Sequence, residues 1–208
     1  VTGMVSLPGR STELVLLKYN SNGLFRWART YGATAADLED KGTAIALDGH
    51  GNIYVTGFCT NSDGLRDILV QKYSPSGSLL FTKTEDGEFD ANSEGFGIAV
   101  DSDNRIYVTG YTAAASGTTD IITIKYNQNG LLRWIETFNG QVNGEDKAFG
   151  IAVDESDNVY VTGYITRTFN TANTDAVVLK YSPSGNLRWD ETYNGNGNIS
   201  TDKAWGIV

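Results

Sequence analysis

The sequence predicts an all-β fold built from four-stranded antiparallel units, and three observations predict it. The first is a strand-like phrase that recurs: "IYVTGF" at 53–58, "IYVTGY" at 106–111, "VYVTGY" at 159–164, and "VTGM" at 1–4. The second is the interval. The valine of "VTG" falls at Val1, Val55, Val108 and Val161, giving spacings of 54, 53 and 53 residues. A fixed period in this range marks stacked supersecondary units. The third is that each period holds four runs rich in β-branched and aromatic residues, bounded by turn residues, and none carries a helical stripe.

The four runs follow in a constant order. The first is "GIAVD" at 97–101 and 150–154, with "TAIALD" at 43–48 as the divergent copy. The second is the "YVTG" run. The third reads "ELVLLKY", "DILVQKY", "DIITIKY" and "DAVVLKY", and the fourth "LFRWARTY", "LLRWIETF" and "LRWDETY". "DGHGN", "DSDN" or "DESDN" joins runs one and two, and "SPSG" or "NQNG" joins three and four. Asp, Asn, Ser, Pro and Gly are what tight turns require. Apolar residues on both faces of several runs predict sheets packed between other sheets.

Four antiparallel strands repeated at about 53 residues fit a blade of a β-propeller. The chain then reads as a single propeller over 1–208, or part of a larger one, with four blade-equivalents. The pieces are 1–41 (strands two to four), 42–94, 95–147, 148–203, and 204–208, the first strand of the next or a shared blade. Kelch repeats are similar in length, but their glycine pair is absent.

The stretch "KAFGIAVDESDNVYVTGYITRTFNTANTDAVVLKYSPSGNLRW" at 147–189 resembles the bacterial β-propeller repeat family SBBP. The resemblance recurs in every unit. The second unit departs from it, with Phe81 where the others have Trp27, Trp134 and Trp189. The resemblance implies a secreted or cell-surface protein of a bacterium or archaeon, often with many tandem blades, and no general enzymatic activity.

Composition narrows the function. The formal charge of −9 argues against nucleic acid, whose phosphates need basic stripes. No run of 18 apolar residues occurs, so no membrane-spanning helix is expected. The chain opens on Val1 without an initiator Met and reads as a piece of a longer polypeptide, so a missing leader is uninformative. Cys59 is the only cysteine and His50 the only histidine, which excludes internal disulfides and the usual Cys/His zinc sites. His50 lies in "DGHGN" and reads as a turn residue.

The recurring residues read as structural. The tryptophans are expected to wedge adjacent blades together rather than stack on a quinone. "DSDN" and "ESDN" open like a calcium loop, but position twelve falls inside the next strand, so their acids read as turn formers. Lys18, Lys72, Lys125 and Lys180 recur before the third-strand tyrosine, and are expected to pair with an acid or extend to solvent.

The two ends of the blades differ. The one-to-two and three-to-four turns share one end and are short and repetitive. The two-to-three loops "SLPGRST", "CTNSDGLR", "TAAASGTT" and "ITRTFNTANT" share the other with the inter-blade segments 31–42, 85–96, 138–149 and 193–205. Variable loops on a rigid scaffold are where binding usually resides. Those segments hold 11 of the chain's 25 acids: Asp37, Glu39, Asp40, Glu85, Asp86, Glu88, Asp90, Glu94, Glu145, Asp146 and Asp202. This end is expected to be acidic, in the simplest case a rim that keeps the protein soluble. No catalytic or cofactor-binding residue is identified. If a cofactor binds it is calcium, with Glu85, Asp86, Glu88, Asp90, Glu94, Glu145 and Asp146 as candidate oxygen ligands.

The leading expectation is a non-enzymatic extracellular or cell-surface scaffold for binding or assembly. Its partner is a protein or carbohydrate on the variable-loop face, or another copy through the terminal strands. The alternative is a cation- or quinone-dependent propeller enzyme of the dehydrogenase or lyase type, which the lack of a usable His, Cys or catalytic constellation weighs against. The two terminal pieces together make one further blade. Three outcomes stay open: closure within one chain, pairing between copies, or continuation into further blades.

Overall fold

A computed structural model describes residues 1–6, 11–32, 38–87, 89–114, 117–167, 173–195 and 201–208. All regular structure among them is strand, in four separate antiparallel sheets. Sheet one has three strands, β1 (Thr2–Ser6), β2 (Thr12–Tyr19) and β3 (Phe25–Tyr31). Sheet two is β4 (Asp40–Leu47), β5 (Ile53–Thr60), β6 (Arg66–Tyr73) and β7 (Leu79–Glu85). Sheet three is β8 (Ser93–Val100), β9 (Ile106–Ala113), β10 (Thr119–Tyr126) and β11 (Leu132–Phe138). Sheet four is β12 (Lys147–Val153), β13 (Val159–Thr166), β14 (Thr174–Tyr181) and β15 (Leu187–Tyr193). Within each sheet the strands pair in chain order, as up-and-down units should.

The predicted runs and the observed strands coincide, with two differences. First strands begin at Asp40, Ser93 and Lys147, so all three connections end sooner than the pattern suggested. Residues 204–208, expected to be a first strand, form no ladder among the described residues. Ala204 N still donates to the Gly163 carbonyl at 3.1 Å, and Trp205 stacks on Phe149 at 4.4 Å.

The chain packs as two compact units, Val1–Gly95 and Phe96–Val208. In unit 1, sheet one packs on sheet two through Leu14, Leu16, Ile53, Val55, Leu69 and Tyr73. In unit 2, Tyr107 and Ile121 of sheet three meet Ala148, Ile151, Val161 and Val177 of sheet four. Burying one large aliphatic side chain in such a seam contributes about 1.5–3 kcal/mol.

The recurring phrase is explained residue by residue. The aspartate closing each first strand accepts from the tyrosine hydroxyl of "YVTG": Tyr54 to Asp48 (3.0 Å), Tyr107 to Asp101 (2.8 Å) and Tyr160 to Asp154 (3.1 Å). Thr56 and Thr109 donate to the Leu69 and Ile122 carbonyls of the third strand. The glycine is forced by a bulge in the facing first strand. A β-carbon on Gly57 would lie 1.8 Å from the Lys41 carbonyl oxygen, and one on Gly163 would lie 2.0 Å from that of Lys147.

Candidate interaction face

Antiparallel order puts turns one-to-two and three-to-four at one end of each sheet. At that end a single geometry recurs, a three-residue loop closing with one residue at positive φ. Asp48, Asp101 and Asp154 each take two backbone N–H bonds on Oδ1, while Oδ2 takes side-chain donors. Burial pushes the Asp48 carboxyl up, but its bonds from Asn52, Tyr54 and the His50 N–H outweigh that and hold it below its ordinary value. Asn158 leads the donors that do the same for Asp154. These are turn-forming acids with engaged oxygens, as expected. His50 is exposed and is held through its backbone.

The recurring lysines have a different partner from the expected acid or solvent. Lys72, Lys125 and Lys180 lie 4.8–5.0 Å over the rings of their cross-strand neighbours Tyr54, Tyr107 and Tyr160. Lys125 is buried, and burial lowers its pKa. The tyrosine faces offer a cation a desolvated seat that needs no counter-charge. Two of the three repeat tryptophans link neighbouring sheets, while Trp189 on β15 is exposed. Trp27 of sheet one lies on Gly77 of sheet two, and Trp134 of sheet three lies on Gly185 of sheet four.

At the opposite end the polar residues differ between repeats. In unit 1, Arg66 Nη1 pairs with Glu94 at 2.5 Å and Nη2 with Glu39 at 3.1 Å, its backbone N–H donates to Asn92, and its guanidinium lies 4.4 Å over the Phe58 ring. In unit 2 the corresponding seats are filled by Lys147, 4.5 Å over Tyr111, and Lys203, 4.2 Å over Tyr164. Beside Lys147, Asp146 is fully buried. It accepts the Gly140 N–H at 2.6 Å and the Thr166 N–H at 2.7 Å, and burial pushes its carboxyl up to about 6. Arg167 pairs with buried Asp175 at 2.8 Å.

The candidate acids do not share one location. Glu94 and Asp146 are buried, and their side chains bind Arg66 and backbone N–H groups respectively. Asp40, also buried, accepts the Thr60 N–H. The excess of acid in these connections is thus partly internal. Asp86, Asp90 and Glu145 are exposed and Glu85 is half-buried, while Glu88 and Asp37 lie outside the described residues. Asp86 and Asp90 act on Asp67, whose pKa is raised by burial first and then by those charges. Among the described residues, no three His, Cys, Asp or Glu side chains are placed to hold one metal ion. Of the two-to-three loops, "CTNSDGLR" is less irregular than its sequence suggested. Asn61 takes the Asp63 and Leu65 N–H groups and Gly64 closes the loop at φ +81°, the same turn found at the other end.

The pairing of Arg66 with Glu94 is the feature sequence reasoning missed, although its signal was present. Aligned repeats place Glu94 against Lys41, Lys147 and Lys203, and Arg66 against Thr12, Thr119 and Thr174. The only copy that loses the lysine gains the arginine.

Burial and the nearby Asp40 push the buried Cys59 thiol up to about 12. A cleft of about 570 Å³ in unit 1 is lined mainly by apolar residues such as Leu16, Ile45 and Ile53, with Lys18 its one charged side chain.

The sequence profile described as the SBBP beta-propeller repeat matches residues 27–64, 90–117 and 140–169. Those three stretches match SBBP repeats. It is also similar to an uncharacterized WD repeat-containing protein of Acanthamoeba polyphaga mimivirus, at 28% identity over 77% of this chain. That match spans only 14% of the viral protein's length. Both comparisons point to a repeat scaffold. Among the described residues, no helix is long and apolar enough to cross a membrane.

Proposed function

We propose that these SBBP repeats are blades of a β-propeller that serves, outside the cell or at its surface, as a non-enzymatic scaffold binding a protein or carbohydrate. One observation carries the reading. The side chains that recur, Asp48/Asp101/Asp154, the "YVTG" tyrosines and the third-strand lysines, engage one another inside the sheets. The exposed polar residues of the connection end, Glu39, Asp86, Asp90, Glu145 and Arg167, vary between repeats except that Glu39 and Glu145 share one repeat position. A rigid repeated frame with divergent exposed groups at one end suits recognition. The similarity to a WD repeat-containing protein supports a scaffold role.

The test is binding of the chain to arrayed extracellular glycans and surface proteins, in parallel with a triple variant Glu39→Ala, Glu145→Ala, Arg167→Ala. The expected result is a defined ligand lost in the variant. A ligand held equally by the variant would refute the connection end as the binding face. Turnover of a bound ligand would refute the non-enzymatic reading.

A further inference from the structure

Within unit 2, sheets three and four leave a notch of about 220 Å³ where the connection after β11 passes β13 and β15. Phe138 and Ile165 give it apolar surface, and Asn139, Gln141, Asp190 and Thr192 line it with polar groups. The notch lies on the side of β15 that faces sheet three. Asp190 and Thr192 pair with Leu179 and Val177, which belong to the core shared by sheets three and four. Strand side chains alternate, so Trp189, the partner of Lys180, occupies the other face. Both walls of the notch therefore belong to unit 2, and its opening does not depend on what lies beyond Trp189.

Three observations distinguish the notch from a packing gap. The first is register. The fourth-strand residues paired with Leu17, Gln71 and Ile124 are Ala28, Thr82 and Ile135, and only sheet four places a charge there, Asp190 opposite Leu179. The second is a fixed wall. The buried Asp146 accepts the Gly140 N–H at 2.6 Å, and a β-carbon on Gly140 would stand 3.1 Å from Ile165, so the connection lies directly on β13. Asn139 Nδ2 donates to Asn143 at 2.9 Å, which leaves the Asn139 side-chain oxygen as an acceptor. The third is open valence. Among the described residues, no hydrogen bond or ion pair engages the side chains of Asp190, Thr192 or Gln141.

We propose that this notch binds one ring of a neutral saccharide, with the sugar's C–H face on Phe138 and its hydroxyls on Asp190, Gln141 and Thr192. The side chains select this class. A carboxylate accepts from two hydroxyls at once, a carboxamide both donates and accepts, and threonine adds a hydroxyl, which together match the mixed donor–acceptor edge of a sugar. Asp190 repels an anion, and one carboxylate is too few for a hard metal ion. The volume lies below the roughly 300–1,000 Å³ of sites for drug-sized ligands, so a single ring fits and further rings of a chain would lie outside. The pinned connection keeps the ordering cost of binding low. Binding here rests on the connection end being the recognition face, but it uses none of Glu39, Glu145 or Arg167.

Titration of the isotope-labelled 208-residue chain with glucose, galactose, mannose, fucose and N-acetylglucosamine, followed by backbone amide shifts, tests this. At least one sugar should give saturable shifts at Gly140, Gln141 and Thr192. Asp190→Ala should weaken that binding at least about tenfold, because it removes the charge-assisted bonds to the ligand. The fold tolerates this change, since alanine already stands at the aligned position of β3. Gln141→Ala, at an exposed position, should also weaken binding. The triple variant Glu39→Ala, Glu145→Ala, Arg167→Ala should bind the sugar as the unaltered chain does. No saturable shift with any of the sugars, binding unchanged in Asp190→Ala, or saturation by free arginine alone would each overturn the proposal. An arrayed ligand that the triple variant loses and Asp190→Ala keeps would overturn the notch and leave the connection end as the binding face. Saturable shifts confined to the turns at the opposite end would overturn both.

Discussion

Unit 1 and unit 2 make the same inter-sheet contact with opposite local charge. Unit 2 seats a cation over an aromatic ring directly, Lys147 on Tyr111 and Lys203 on Tyr164. Unit 1 carries Glu94 at the aligned position and brings the cation from the loop instead, as Arg66 over Phe58. What is held constant is a positive charge on a ring face, and the residue supplying it is free to change if a partner compensates. A second contrast lies beside it. In unit 2 the buried acid Asp146 satisfies two backbone N–H groups, whereas the aligned positions of unit 1 hold Asp40, a buried acid that accepts the Thr60 N–H, and Ser93, which donates to the Asp86 carbonyl at 3.2 Å.

The acid–serine contrast offers the largest effects. Asp146→Ala leaves the Gly140 and Thr166 N–H groups without their acceptor, and a loss of about 2–4 kcal/mol is expected in denaturant unfolding. Ser93→Ala should remove about 1 kcal/mol, because a neutral hydroxyl bonded to the Asp86 and Ala91 carbonyls is lost. Comparable losses from the two variants would mean that Asp146 is not the keystone its burial suggests.

Acidity sharpens the same contrast. Since the folded pKa of Asp146, about 6, lies above its unfolded value, the folded chain binds more protons than the unfolded one between about pH 4 and pH 6. Stability from this group is therefore fullest below that window and falls as pH rises through it, by up to about 3 kcal/mol. Asp146→Asn should flatten the stability difference between about pH 4 and pH 7. A slope unchanged in the variant would assign it to other carboxylates.

The tryptophan docks come next. Trp134→Ala should cost about 2 kcal/mol, below the 3–5 of a fully buried aromatic, because Trp134 is only half-buried. Trp189→Ala should change the melting temperature of the isolated chain little. Equal shifts for the two would show that their environments do not differ as described.

The smallest effect tests the charge exchange itself. Glu94→Lys sets a second cation against Arg66 and should destabilise by about 1 kcal/mol. Adding Arg66→Thr recreates the unit 2 arrangement and should recover most of it. Additive losses in the double variant would show that the two positions are uncoupled.

The sequence by itself determined the strands, their order and the sheet boundaries to within a few residues. Period, β-branched runs and turn residues are local signals, and antiparallel neighbours joined by tight turns need no long-range information. It also assigned turn-forming roles to Asp101 and Asp154, because the spacing to the next strand leaves no room for a metal loop. Tertiary structure alone decided what the side chains touch. The lysines found tyrosine faces and proline carbonyls, Glu94 and Asp146 left the surface for Arg66 and backbone N–H groups, and Trp27 and Trp134 came to rest on turns about fifty residues further along the chain. The reason is physical: whether an acid at a connection is solvated or internal depends on which N–H groups and cations the neighbouring sheet brings to it, and a single repeat does not contain its neighbour.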